Sequence, residues 1–371
     1  MTMTDYGESC VLVLQGGGAL GAYQGGVYEA LATAGFSPDC VAGISIGAIN
    51  AALIAGNPPE RRVAALRTFW ERASAGVPYP TPFENGWGRK LFNEAAAATT
   101  ALTGVPGFFT PRLQMPWMEL PGSPGSISLY DTEPLRKTLL ELVDFDLLND
   151  GPMRFSVGAV HVMTGNFVYF CNRDRRIGPE HIMASGALPP GFPPVVIDGE
   201  PYWDGGIVSN TPLQYVLDER EPQPLLVFQV DLFSARGMMP RTLAEAMQRE
   251  RDIRFSSRTR LNTDVHIRMA EVESAVARLV AKLADQIPDS VKDDPDYHTI
   301  TTRHSGGPVT VMHLINRSQG TESQGKDYEF SHTTLTEHWQ AGRHDVVRSL
   351  HSPRWRNRVP PVDGLAIMDL E

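Results

Sequence analysis

Ser45 stands between two glycines, in Gly43-Ile44-Ser45-Ile46-Gly47, after a short apolar run and before the small-residue stretch 48–55. A strand that turns sharply into a helix presents its middle residue clear of the sheet. Flanking glycines are required where backbone and helix approach too closely for a Cβ. A serine hydroxyl held this way can attack a carbonyl, given a base to take its proton and donors to hold the developing negative charge. Gly16-Gly17-Gly18-Ala19-Leu20-Gly21 supplies candidate donors: it lies where a strand ends and a helix starts, so free N–H groups and the helix dipole favour an anion. Asp204-Gly205-Gly206, after Tyr202-Trp203, supplies a candidate base, although an Asx-type turn uses the same residue types.

The glycine loop fits two kinds of anion. Gly16-x-Gly18-x-x-Gly21 satisfies the dinucleotide-binding fingerprint, so an oxidoreductase with a nicotinamide or flavin cofactor is the alternative reading. That fingerprint also wants an acidic residue at the end of the second strand, to hold the ribose hydroxyls. Asp39 lies at the wrong end of that strand, and the required position is taken by Gly43 and Ser45, which a hydrolase needs. A Ser-Asp-His triad in chain order would use His313 or His332 downstream of Asp204, and neither has a distinguishing context.

The elements that must position these residues follow from the hydrophobic pattern. Residues 11–14 form an apolar run ending at the glycine loop, a buried strand. Leu20, Tyr23, Val27, Tyr28 and Leu31 recur at helical spacing over 19–34, with Gly35 at the C-cap position. A second strand covers 39–42 and a helix 48–55. Residues 133–148 predict one helix, 155–161 and 167–170 a strand pair across Thr164-Gly165-Asn166, and 225–231 and 309–315 further strands. Residues 74–130 mix Pro and Gly with Phe, Trp and Tyr, as in Pro106-Gly107-Phe108-Phe109 and Met115-Pro116-Trp117-Met118, and read as an insertion that either serves as an apolar substrate wall or lid or merely packs on the domain. Beyond Pro240, the arginine-rich stretch from Arg249 to Arg258 is expected to face solvent. Val272, Val276, Leu279 and Leu283 are expected to pack on the core, as are Met238, Met239 and Trp339.

The chain of 371 residues can hold one large α/β domain or a domain with an appendage. A net charge of −10 argues against a nucleic-acid partner, whose phosphates need clustered cations. Cys10, Cys40 and Cys171 are odd in number and lack any C-x-x-C spacing, so they suggest neither disulfides nor a metal site. With a polar, acidic start and no run approaching the ~20 apolar residues of a membrane helix, the expected compartment is the cytoplasm. No metal or organic cofactor is implied, and no oligomeric state is indicated.

Together the three motifs resemble the patatin-like phospholipases and acyl hydrolases, in order and spacing, over residues 10–56 and 181–215. Ala184-Ser185-Gly186-Ala187-Leu188-Pro189-Pro190 and Phe192-Pro193-Pro194 add to the likeness. Asp252-Ile253-Arg254 and Lys326-Asp327-Tyr328-Glu329-Phe330-Ser331 are similar to the extra C-terminal region of a bacterial subgroup. The resemblance implies a three-layer α/β/α fold with a mostly parallel sheet. It implies a catalytic domain over 8–235 and a helical and strand extension over 236–371 packed on it. It also implies a serine acyl hydrolase of the lipase or esterase type, with Ser45 as nucleophile, Asp204 as base, and Gly16, Gly17, Gly18 and Ile46 around the oxyanion. Gly21, Gly43, Gly47, Gly205 and Gly206 would support the turns. A lipid or other ester would be the substrate, with peripheral membrane contact open. Leu20 stands where the family usually carries Arg or Lys, which leaves neutral or small esters as open as phospholipids.

Overall fold

The run that feeds the glycine loop is the centre of the sheet in the computed structural model, which describes residues 6–81, 83, 86–303, 307–317, 325–362 and 364–369. β1 (Ser9–Leu14) is apolar from Cys10 onward because both its faces are covered. Cys10, Leu12 and Leu14 join one core cluster, and Val11 and Val13 join the other. The remaining strands in chain order are β2 (Cys40–Gly43), β3 (Thr110–Pro111), β4 (Tyr130–Asp131), β5 (Arg154–His161), β6 (Phe167–Cys171), β7 (Val195–Ile197), β8 (Glu200–Asp204), β9 (Leu225–Asp231), β10 (Val309–Ile315) and β11 (Leu365–Asp369). β3 and β4 pair only with each other. The others form one sheet in the order β11-β10-β9-β1-β2-β5-β8-β7, with β6 beside β5. From β11 to β5 every pairing is parallel, whereas β6, β7 and β8 are joined antiparallel.

The helices are α1 (Ala22–Thr33), α2 (Ile46–Ala55), α3 (Pro59–Ser74), α4 (Gly86–Thr103), α5 (Glu133–Leu142), α6 (Phe145–Asp150), α7 (Pro179–Ser185), α8 (Leu213–Asp218), α9 (Leu243–Leu283), α10 (Asp289–Lys292), α11 (Pro295–Arg303), α12 (His332–His351) and α13 (Pro353–Arg356). α1, α2 and α3 bury the larger cluster on one face of the sheet, while Leu213, Val216 and Leu217 of α8 cover the other. This is the expected three-layer α/β/α arrangement with a mostly parallel sheet.

Two expected helices differ in detail. The single helix over 133–148 is broken into α5 and α6. Asp144 caps the second, accepting from the N–H groups of Asp146 and Leu147 at 3.0 and 2.9 Å, while its own N–H donates to the Gly56 carbonyl at 2.9 Å. The helix expected from residue 19 opens as a 3₁₀ turn, Gly18–Gly21, before α1.

The chain beyond residue 235 does not stand apart, because β10 and β11 lengthen the central sheet beside β9. α12 lies against α1 so closely that a Cβ on Gly25 would strike the Trp339 ring and one on Gly26 its carbonyl. Trp339 is buried as expected, donating its indole N–H to Glu29 at 2.7 Å. Of the other packing expectations, Val276 is half-buried and the rest are overturned. Val272, Leu279 and Leu283 are exposed, since α9 is 41 residues long, or about 60 Å at 1.5 Å per residue, and meets β11, α8 and α11 over only part of its length. Met238 and Met239 are exposed in the loop before α9.

Candidate active site

β2 ends at Gly43, opposite Val157 of β5, and β8 pairs antiparallel with the next stretch of β5, placing Asp204 opposite Ala159. β6 occupies the other edge of β5 across residues 156–160. β2 and β8 therefore share one edge end to end, and the turn after β2 must abut the end of β8. Two segments some 160 residues apart in sequence meet because of this register.

Ser45 has φ 55° and ψ −123°. It and Asp198 alone carry a positive φ among the described residues that are not glycine. The turn is held open by missing Cβ atoms: one on Gly43 would collide with the Gly47 backbone, and one on Gly47 with the Leu14 carbonyl. A non-glycine residue in this region is strained and persists because its surroundings leave no alternative. Here the Ser45 N–H donates to Ser185 Oγ at 3.1 Å, and that hydroxyl donates to the Gly158 carbonyl at 2.7 Å.

Asp204 is 2% exposed. Its N–H donates to the Ala187 carbonyl at 3.0 Å, and its Oδ1 accepts from the Gly206 N–H at 2.7 Å. Ser45 lines the same cavity as this carboxyl. Burial pushes the carboxyl up to about 7, outweighing the Gly206 N–H and the nearby Ser45 hydroxyl, which pull it down. Gly205 and Gly206 fit where nothing larger would: a Cβ on Gly205 would lie 2.6 Å from the Gly158 carbonyl, and one on Gly206 2.8 Å from Asn210 Oδ1.

Gly16, expected among the oxyanion donors, has its N–H engaged. It donates to the Asn210 carbonyl at 3.1 Å, while Asn210 Nδ2 donates back to the Gly16 carbonyl at 2.9 Å. Gly17, Gly18 and Ile46 line the same cavity as Ser45 and Asp204, and among the described residues their N–H groups have no intramolecular acceptor. Gly21 is a spacer, where a Cβ would sit 2.6 Å from the Ile46 side chain. The cavity, of about 80 Å³, has an aromatic wall of Phe108, Phe109, Phe192, Phe233, Phe255 and Phe330. Phe108 and Phe109 come from the 74–130 insertion and Phe255 and Phe330 from the C-terminal extension.

No described histidine lines this cavity. His313 lies in β10 in register with Gln229, and His332 starts α12 with Nδ1 3.3 Å from Ser74 Oγ. Asp39 accepts from the Cys10 N–H at 2.8 Å at the start of β2, so no acid stands at the ribose position and the dinucleotide alternative finds no support. The arginine-rich stretch is not a plain solvated face. Arg249 donates to the carbonyls of Ser234 and Ala235, and Arg251 pairs with Asp327 at 2.7 Å, although Arg254 pairs with Glu250 on the surface. The side chain of Arg258 lies outside the described residues.

Sequence reasoning gave no role to four polar residues of this site. Ser185 and Asn210 brace Ser45 and Gly16 as above. Gln15 is fully buried, with Oε1 accepting from the Phe233 N–H at 3.1 Å and Nε2 donating to Thr211 Oγ1 at 3.1 Å. Asp327 touches the glycine loop through its carbonyl. Ser185 and Asp327 lie in the family-like segments, and Gln15 carried a local signal as a polar residue between an apolar strand and a glycine loop. Among the described residues no helix is long and apolar enough to cross a membrane, and all three cysteines are free thiols.

Residues 12–217 match the Patatin-like phospholipase family, and residues 253–362 match a second family described as Patatin phospholipase. The first match covers more than half of the chain, which therefore belongs to the patatin-like phospholipases and is a carboxylic ester hydrolase of lipid esters. No curated protein matches. Among solved structures, the crystal structure of VipD from Legionella pneumophila is similar at 16% identity with a TM-score of 0.33, over 90% of this chain and 67% of that one.

Proposed function

We propose that this hydrolase works through a Ser45–Asp204 dyad and a covalent acyl-enzyme. The observation that carries the reading is a buried carboxyl raised to about 7 beside the Ser45 hydroxyl, in a cavity whose lining includes Gly17, Gly18 and Ile46, with N–H groups that have no intramolecular acceptor among the described residues. Asp204 takes the Ser45 proton as Oγ bonds to the ester carbonyl carbon. Collapse of the tetrahedral species breaks the bond to the alcohol, which leaves with the proton from Asp204. Water then attacks the acyl-enzyme, giving a proton to Asp204, and the acid departs as Ser45 Oγ regains that proton. Gly17, Gly18 and Ile46 hold the oxyanion, and losing one such donor costs about 10²–10³ in rate.

Labelling with a fluorophosphonate, with p-nitrophenyl ester turnover on the same preparations, tests this. Wild type is expected to label and turn over, Ser45→Ala to do neither, and Asp204→Asn to lose turnover. Labelling that survives in Ser45→Ala would refute the assignment, and undiminished turnover in His313→Ala and His332→Ala excludes a triad.

Peripheral membrane contact is the second part of the proposal, and α4 supports it by its reversed amphipathicity. Its inward face carries Arg89, Asn93, Ala96 and Thr100, with Arg89 held by Glu337 at 2.6 and 3.0 Å. Its outward face carries Trp87 and Leu102, 79% and 78% exposed, with Leu91 between them. Leu113, Trp117, Met118 and Leu120 of the same insertion are also exposed. Water disfavours such a face and a lipid surface favours it. Wild type should co-sediment with phosphatidylcholine vesicles, and Trp87→Ser/Trp117→Ser should lose that binding while keeping turnover of soluble esters. A wild type that stays in the supernatant sinks this part.

A further inference from the structure

The second matched region, residues 253–362, has no role in the dyad chemistry, yet its chain reaches the oxyanion loop. The Ala19 N–H, next after Gly18, donates to the Asp327 carbonyl at 2.9 Å. Gly18 has φ 56°, and a Cβ there would strike that same carbonyl. The contact fixes one end of the loop, and the preceding N–H groups of Gly17 and Gly18, in the cavity beside Ser45, have no intramolecular acceptor among the described residues.

Asp327 is itself pinned. Its carboxylate pairs with Arg251 at 2.7 Å, and the neighbouring Lys326 pairs with Asp252 at 2.9 Å, with those two side chains only 5% and 10% exposed. The Lys326 ammonium also lies 5.4 Å from the centre of the Phe233 ring. Two consecutive residues of α9 thus hold two consecutive residues of the 326–331 segment. A buried ion pair contributes little net stability, because desolvation offsets the attraction, but it is costly to break and fixes geometry. The other end of the loop is tied to the same helix, since Gln15 Nε2 donates to the Phe255 carbonyl at 3.3 Å. Beyond Asp327 the segment contributes Tyr328 and Phe330 to the cavity wall.

We propose that the C-terminal extension completes the active site, with residues 326–331 acting as a strap and Asp327 as a positioning residue that sets the oxyanion loop through the Ala19 N–H. This rests on the reading of Gly17 and Gly18 as oxyanion donors. The strap carries no reacting group. Its effect is to hold the donors where the oxygen develops charge, and a displacement of about 1 Å in such a site costs roughly 10² in rate.

The test is kcat and KM for p-nitrophenyl butyrate in Asp327→Ala, Asp327→Asn and Arg251→Met, normalised to the sites titrated by a fluorophosphonate. Asp327→Ala should lower kcat per titrated site about 10- to 100-fold with KM within about threefold, still labelling stoichiometrically but more slowly. Asp327→Asn, which keeps an acceptor for Arg251, should recover most of the loss, and Arg251→Met should lose about 3- to 10-fold. A merely structural strap would instead reduce the number of titratable sites and leave kcat per site unchanged, and that result overturns the proposal. Should Asp327→Ala fail to fold, the two volume-conserving variants decide by the same criterion. Failure of the dyad reading looks different, because wild type itself would then not label at Ser45, and both proposals fall.

Discussion

Two carboxylates end strands of the sheet, Asp204 on β8 and Asp231 on β9, and both are buried and pushed up to about 7 by that burial. Their surroundings differ. Asp231 receives the Gln229 amide on both oxygens, at 3.0 and 2.8 Å, and is not among the residues lining the cavity. Asp204 receives the Gly206 N–H and lines the cavity together with Ser45, whose hydroxyl pulls its pKa down. Burial alone makes a base strong enough to take a proton near neutral pH. What separates the two is whether the topology brings a serine hydroxyl to the carboxylate.

The largest test of that contrast is kinetic. Asp204→Asn should lower kcat by about 10³-fold or more and Ser45→Ala by at least as much, while Asp231→Asn stays within twofold. Comparable losses at the two aspartates would erase the distinction. The next effect is on the pH profile. Asp204 must be ionised to act, so kcat/KM should fall about tenfold per unit once pH drops below about 7, and Asp231→Asn should leave that limb in place. A flat profile from pH 5 to 8 would show that Asp204 is not the base. A smaller effect concerns the wall shared by both readings of the insertion. Phe108→Ala should raise the relative rate on longer p-nitrophenyl esters several-fold, and an unchanged chain-length profile would remove Phe108 from substrate contact.

The smallest effect is on stability, where the two aspartates should behave alike. A carboxyl whose folded value lies above its unfolded value of 3.8 contributes most below pH 3.8, and that contribution is lost as pH rises through about 7. Replacing either by Asn should therefore stabilise the protein more at pH 8 than at pH 5, by roughly 1–3 kcal/mol, seen as a thermal shift of a few degrees. Asp204→Asn would then be more stable and inactive. A loss of stability at pH 8 in both variants would mean that the charged forms are better solvated than their burial implies.

The parts of the site that were legible are those where a local backbone constraint selects residue types. Gly43 and Gly47 flank Ser45 because their Cβ atoms would meet backbone, and Gly16-Gly17-Gly18 sits where a strand gives way to a helix. The same logic could not say that the Gly16 N–H is already taken, because its acceptor, Asn210, lies 194 positions away. α4 was opaque for another reason. Its apolar residues recur at helical spacing, but whether Trp87 and Leu91 or Arg89 and Asn93 face inward depends on Glu337 and Thr334 of α12, which accept from the Arg89 guanidinium. The stripe on α9 was misjudged likewise, since nothing in a periodic pattern says where the body that would cover it ends.

By itself, then, the sequence determined the strand-turn-helix units, the candidate nucleophile and base, and the family, because each rests on contacts a few residues apart or on motifs read in order. Only the tertiary structure decided that Asp204 and Ser45 line one cavity, that the Gly16 N–H is engaged, and that residues 326–331 close against the glycine loop. Those facts depend on the register of β2 and β8 along one edge of β5, and on the docking of α9 and α12. Both are fixed by how the whole core packs and not by any neighbour in the chain.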